Sequence, residues 1–277
     1  MKKQTFSLLV ILCLASIFFF SCTRIGTKQV GALQFDSVQV NRTSHLFGDT
    51  ALPSCSLSIS FTYVSKASDP QMADSLNSYF TNMALGNTYL GQKPETAVQA
   101  YAAKYVDEYH HDLEPTYRKD ALENGEEAGA WYSYYKKLNS QVVYYEKNLL
   151  VYRYLFEEFT GGAHGIYMST FLNLNLDTLK PIHLEDLFVA DYREALTDLL
   201  WNQLMADHRV ATREELEDMG YTSTGELAPT ENFYLDDYGI TFYYNVYEIA
   251  PYVMGPTAIR LPWDMVQHLR RNDSSNN

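Results

Sequence analysis

The chain has 277 residues, 46% of them hydrophobic, and a formal net charge of −13. With no lysine or arginine cluster to offset it, that charge repels phosphate backbones and excludes nucleic acid as a ligand class. Of three cysteines, Cys13 falls in an apolar leader and Cys22 at its end, so Cys55 stands alone, no intramolecular disulfide is available, and the fold has to rest on its own core.

Residues 1–21 read as a signal peptide: Lys2 and Lys3 precede an apolar run from Phe6 to Phe20, and Ser21 precedes Cys22. The run is marginal in length for a bilayer span. Its end, FFSC, resembles the cleavage box of bacterial lipoproteins, with Phe19 where that box prefers leucine. The resemblance implies lipidation at Cys22, attachment to the bilayer through that anchor, and a place in the cell envelope, as an outer membrane lipoprotein facing the periplasm or the surface. Loss of Lys2 and Lys3 lowers the charge to −15, which attracts a basic partner and equally serves solubility. Residues 22–33, polar and glycine-containing, are expected to form a tether.

FDSVQV (35–40) is the first strand candidate, and SCSLSISFTYV (54–64) is a clear one. Its period of two puts Cys55, Leu57, Ile59 and Phe61 on a core face and four serines on a wet one, so Cys55 reads as a small buried hydrophobe. Met72, Leu76, Tyr79, Phe80 and Met83 predict a helix that starts at Asp69-Pro70 and stops at Gly86. Val98, Tyr101, Ala102, Tyr105, Val106 and Tyr109 predict a second, with His110 and His111 at its wet end. From Trp131 to Phe159 aromatic and β-branched residues favour strands, with a turn at Lys147-Asn148. YMSTFLNLNLDT alternates Phe171, Asn173 and Asn175 against Leu172, Leu174 and Leu176, a half-buried strand closed by a turn at Asp177-Thr178. Helix returns from Leu184, with Leu196, Leu199, Leu200 and Leu204 on one face, and ends near His208 or Gly220. GITFYYNVY is a further strand after a turn at Asp236-Asp237, and TAIRLPWDMVQHLRR a short strand with a short terminal helix. Strands and helices mix without regular alternation, which predicts an α+β fold of small antiparallel or mixed sheets packed against helices.

The chemistry-bearing patterns are few. His164 lies in GGAHG, whose glycines permit a tight crossing between strands; no helix follows, so the stretch is not a phosphate loop. No histidines pair at i and i+4, and no metal site or cofactor is expected. Ser133 and Lys136 satisfy S-x-x-K without the partner motifs of that chemistry. Glu157/Glu158 and Asp236/Asp237 are adjacent pairs, which a strand points to opposite faces. Twenty-three tyrosines stand against ten phenylalanines once Phe6, Phe18, Phe19 and Phe20 leave with the leader. That excess suits a groove or contact surface for sugar or protein, and it also suits ordinary wet strand edges.

GGAHG followed by STFLNLNLDTLKPIHLEDLF, and NFYLDDYGITFYYNVYEIAPYVMGPTAIRLPWDMV, resemble the two ordered signatures of the RsiV/PdaC-like extracytoplasmic domain family. The resemblance implies a C-terminal domain over 151–277, and a looser likeness implies a companion α+β domain over 34–150. RsiV-like members are membrane-anchored anti-sigma factors whose outer region binds lysozyme, and PdaC-like members carry the pair ahead of a polysaccharide deacetylase domain. This chain departs from both, with no sigma-binding segment before the leader and neither the T-F-D-D-G nor the H-x-x-x-H motif of the deacetylase. What carries over is fold and envelope location. His164, Tyr247, Glu248 and Tyr252 become candidate binding residues, because both signatures flank strands of one small sheet. His164 is read either as part of a concave ligand site or as a buried structural histidine. The expected function is an envelope binding or sensing lipoprotein that recognises a glycan or a basic protein such as a lysozyme; a hydrolase of cell-wall or capsular polysaccharide is the alternative.

Overall fold

The computed structural model of the protein describes residues 33–124 and 131–271. The expected signal peptide, Cys22, the tether up to residue 32 and the residues after Arg271 lie outside the described residues. The architecture is α+β, as expected: a six-stranded sheet in the order β1 to β6 and a three-stranded sheet in the order β7 to β9, both packed against helices.

The serine-alternating segment is β2 (Ser54–Lys66), with Cys55, Leu57, Ile59 and Phe61 buried. It pairs antiparallel with β1 (Gln34–His45). The chain then leaves the sheet for two helices. In α1 (Pro70–Ala84) the Asp69 carboxylate accepts from the Gln71 N–H, and Pro70 occupies a first turn where its missing N–H costs nothing. Gly86, at φ 96°, makes the turn that ends it. The next helix, α2 (Pro94–Asn124), outruns its expected stripe by more than three turns and contains Pro115. Beyond Tyr109 polar residues outnumber apolar ones, but Leu113 and Tyr117 carry the stripe on against Leu46 and Tyr132, and His110 pairs with Glu114 one turn along at 2.8 Å. His110 and His111 thus sit inside a helix, not at its end.

That helical crossover returns the chain parallel to where it left, so β3 (Tyr134–Glu146) pairs parallel with β2. Next come β4 (Leu149–Phe159), β5 (Ile166–Asn175) and the two-residue β6 (Lys180–Pro181), all antiparallel. Lys147, at φ 53°, makes the expected turn between β3 and β4. One face of the sheet packs on α1 and α2, where Phe80 stacks on Tyr152 with ring centroids 3.8 Å apart and 2° between planes. The expected domain boundary at 150/151 falls inside β4, which bonds to β3 on one side and β5 on the other. The two main cores part instead after β6: one gathers residues from Leu33 to Leu176, the other from Leu184 to Leu269.

The single helix expected from Leu184 resolves into α3 (Leu184–Leu187), α4 (Tyr192–His208) and α5 (Arg213–Asp218). Arg209 in the left-handed region ends α4, and a reciprocal cap between Thr212 and Glu215 opens α5. The second sheet is β7 (Phe233–Asp236), β8 (Gly239–Tyr244) and β9 (Thr257–Pro262), all antiparallel. Sequence reading missed β7, four residues long, and carried β8 too far. The expected terminal helix is one 3-10 turn, Gln267–Leu269, since Val266 and Leu269 are its only buried anchors.

Asparagine side chains join the two sheets. Asn232 Oδ1 accepts from the Phe171 N–H at 3.0 Å, and its Nδ2 donates to the carbonyls of Ser169 (2.9 Å) and Tyr243 (3.0 Å). Asn245 Oδ1 accepts from the Ser169 N–H at 2.7 Å. Asn173, expected on a wet face, is 3% exposed and bonds the Phe233 carbonyl and the Leu235 N–H. Asn232 and Asn245 answer backbone groups on the edge of β5 that β6 is too short to cover, and Asn173 does the same for β7, which is how otherwise open edges are satisfied.

Candidate functional site

Residues alternate across a strand, so the register shows what shares the face turned away from α1 and α2. Ser58 lies beside Lys137 and Ser60 beside Asn139; Lys137 lies beside Glu157, Asn139 beside Leu155, and Glu157 beside Tyr167. Ser58, Ser60, Lys137, Asn139, Leu155 and Glu157 line a depression of about 250 Å3. Tyr135, Glu157, Gly165, Ile166, Tyr167 and Tyr252 line a second of about 300 Å3. Glu157 lines both, so the two depressions adjoin and form a trough along this face of the sheet. Lys137 Nζ pairs with Glu157 Oε2 at 2.9 Å across its floor. Tyr135 stacks on Phe159, centroids 5.9 Å apart.

The far wall comes from two loops. GGAHG joins β4 to β5, and its glycines let the loop pass close to its neighbours. A Cβ on Gly161 would sit 2.9 Å from the Trp131 carbonyl oxygen, and one on Gly165 2.8 Å from both the Glu158 carbonyl oxygen and the Tyr135 hydroxyl. From the opposite side the β8–β9 loop brings Tyr247 and Tyr252. His164 Nδ1 lies 3.0 Å from the Gly165 carbonyl oxygen, and Nε2 lies 3.0 Å from the Tyr247 hydroxyl. A carbonyl only accepts, so Nδ1 carries a proton toward Gly165, while the Tyr247 hydroxyl, which can donate or accept, meets Nε2. The ring stacks on Tyr252 at 4.1 Å, and Tyr252 in turn meets Tyr167 edge-on at 5.7 Å.

Three of the four candidate residues therefore meet. His164 is exposed, not buried, although both its nitrogens are satisfied. Glu248 turns away: its carboxylate accepts from the Asn245 N–H at 2.8 Å and lies 3.4 Å from Asn245 Nδ2, holding in place the amide that bonds to β5. Sequence reading missed Tyr135, Lys137 and Tyr167, and weighed Glu157 only as half of an adjacent acid pair. The serine alternation of β2 signals a wet face, but which residues join it depends on register between strands.

The remaining candidates are otherwise engaged. Burial pulls the Lys136 ammonium down, but Glu158 at 2.7 Å and Tyr101 outweigh it and hold the lysine above its usual range, so it is no base for Ser133. Glu157 and Glu158 point to opposite faces as expected, each paired with its own lysine. Burial pushes the Cys55 thiol up, as fits a core residue. His110 bonds to Ser44 Oγ at 2.7 Å, and His208 to the Tyr221 hydroxyl at 2.8 Å. Among the described residues no group of three or more His, Cys, Asp or Glu side chains is placed to hold a metal ion. Many of the tyrosines are neither groove nor wet edge: Tyr109, Tyr152 and Tyr244 are buried and donate to the carbonyls of Tyr132, Thr62 and Ala228.

Residues 185–264 match the family model described as "Protein of unknown function (DUF3298)". A crystal structure of a DUF3298 family member from Bacteroides fragilis NCTC 9343 is 59% identical, with a TM-score of 0.85 over 88% of this chain and 95% of that one. A DUF3298 family protein from Pseudomonas aeruginosa PAO1, 16% identical, shares the fold at a TM-score of 0.60 over 86% of this chain and 94% of that one. No curated protein matches the chain. At 59% identity to a family member over 95% of that member's chain, the protein belongs to the DUF3298 family of proteins of unknown function.

Proposed function

We propose that this protein is a non-catalytic binding protein of the cell envelope whose open sheet face takes a glycan. The observation that carries the reading is the trough itself. Ser58, Ser60 and Asn139 offer hydroxyl and amide groups, Lys137 and Glu157 offer a donor and an acceptor, and Tyr135, Tyr167 and Tyr252 offer rings. Sugars present hydroxyls around their rim and C–H groups on their faces, which is the chemistry such a lining complements. Glu157 is the carboxylate both depressions share, and it is bound to Lys137 rather than facing a second acid across a cleft, which favours binding over glycoside hydrolysis. The lipoprotein-like leader and the RsiV/PdaC-like signatures support the envelope location.

The test is co-sedimentation of the protein lacking residues 1–22 with insoluble peptidoglycan and capsular polysaccharide, together with binding to immobilised oligosaccharides. Wild type is expected to be retained, and the double variant Tyr135→Ala/Tyr252→Ala to bind about tenfold more weakly, the worth of one or two ring contacts, with an unchanged melting temperature. Equal retention of wild type and variant overturns the reading. Retention of a lysozyme with no glycan reassigns the face to a basic protein.

A further inference from the structure

A second cavity, about 300 Å3, lies where the two sheets meet and shares no lining residue with the trough. Val143, Arg153, Phe171, Tyr234, Tyr243 and Ala258 are among the residues around it. Arg153 stands on β4 between Gln141 of β3 and Phe171 of β5. Its Nε is buried without a hydrogen-bond partner, and among the described residues Arg153 forms no ion pair. The acid beside it does not serve: Asp236 is already taken by Arg260 and by the N–H groups of Tyr238 and Gly239. A guanidinium drawn partly out of water with no counter-charge is a costly arrangement, and a planar anion that accepts from its two terminal NH2 groups supplies that charge.

We propose that this cavity is a receptor for a carboxylate carried on a single ring-sized molecule, anchored by Arg153. The lining sets the rest of the ligand. Phe171 is flanked by Tyr234 at 4.7 Å and Tyr243 at 5.3 Å, an aromatic wall for the ring that bears the acid. The volume is at the small end for ligand sites, about 300–1,000 Å3, so one ring fits and a chain of them does not. Asp236 in the lining, and Asp237 bound to the lining Tyr144 at 2.8 Å, add negative charge, which disfavours a doubly charged phosphate more than a singly charged carboxylate. The site stands whether or not the trough binds glycan.

The experiment is ligand-observed NMR and calorimetry on the protein lacking residues 1–22, with glucuronate, benzoate, neutral methyl glucoside and inorganic phosphate as probes. Glucuronate, benzoate or both are expected to bind saturably, and methyl glucoside and phosphate at least tenfold more weakly. Stronger binding of glucuronate assigns the site to a sugar acid, stronger binding of benzoate to a free aromatic acid, and either upholds the receptor. Arg153→Met is expected to weaken carboxylate binding at least tenfold. Ala258→Trp, on the exposed rim, fills the cavity while keeping Arg153 and is expected to do the same, so the test survives if Arg153→Met unfolds. The proposal is overturned if neither carboxylate binds, if phosphate binds as well as they do, or if carboxylate binding survives the cavity-filling substitution.

Discussion

At the scale of single residues, Glu114 shows how the middle of α2 is tied to the sheet edge. Its carboxylate accepts from the Phe47 N–H at 2.8 Å and from His110 Nδ1 at 2.8 Å, and His110 in turn reaches Ser44 of β1. The Phe47 N–H first, and His110 second, hold the Glu114 carboxyl below its ordinary range. A carboxyl whose value is depressed by folding contributes stability above its unfolded value, about 4.3, and that contribution fades as pH falls through the lower folded value. Glu114→Gln is therefore expected to unfold more readily than wild type at neutral pH and to converge with it in acid. Urea denaturation of both proteins between pH 7 and pH 3 measures the gap, and a gap that widens toward acid contradicts the assignment. His164 belongs to the same scale. The resemblance grouped His164, Tyr247 and Tyr252 on the expectation that their motifs flank strands of one small sheet; the motifs belong to two sheets, and the three residues meet where loops of the two come together. The same reading misplaced Glu248, since only the fold shows that its acceptors face Asn245.

At the scale of elements, packing decides what periodicity leaves open. Phe80 is fully buried in the seam between α1 and the sheet, face to face with Tyr152. Phe80→Ala removes that contact and leaves a ring-sized gap beneath Tyr152, whose hydroxyl is fixed on the Thr62 carbonyl at 2.8 Å and cannot follow. The expected loss is about 3–5 kcal/mol, read as a fall in the denaturation midpoint at constant slope. A loss under 1 kcal/mol would show that the seam repacks. This helix was legible because Leu76, Phe80 and their neighbours keep helical spacing and Asp69-Pro70 marks the start. The second half of α2 was not, because only Leu113 and Tyr117 continue its stripe there, and what holds it, Leu46, Tyr132 and the Phe47 N–H that Glu114 accepts, comes from outside the helix. In β5, alternation correctly sorted Asn173 from Leu172 and Leu174, yet it says nothing about what covers each face. The Asn173 side turned out to be buried under the second sheet.

At the scale of the whole molecule, the two cores meet through apolar contacts and through polar groups that satisfy one another. Leu149 and Ile182 reach from the first sheet into the second core, while Asn173, Asn232 and Asn245 supply the bonds across the joint. Each amide answers backbone groups that no strand pairs, so removing one strands its partners in a buried seam at about 1–3 kcal/mol per group. Neither core loses its own packing in the process. Asn173→Ala/Asn232→Ala is therefore expected to weaken the joint more than the units it connects, splitting one cooperative unfolding transition into two, with amide exchange accelerating first at Phe171 and Leu235, whose N–H groups lose their acceptors. Calorimetry together with hydrogen exchange separates the outcomes. A single transition that merely moves to lower temperature means that the cores are coupled by Leu149, Ile182 and the aromatic contacts of Phe171, and that the asparagines only seal the edge of β5. Two transitions mean that the amides set the relative position of the sheets. The trough depends on that position, because Tyr252 and Tyr247 are carried by the second sheet while Tyr135, Glu157 and His164 are carried by the first. The same double variant should then lose glycan retention although every trough residue is intact.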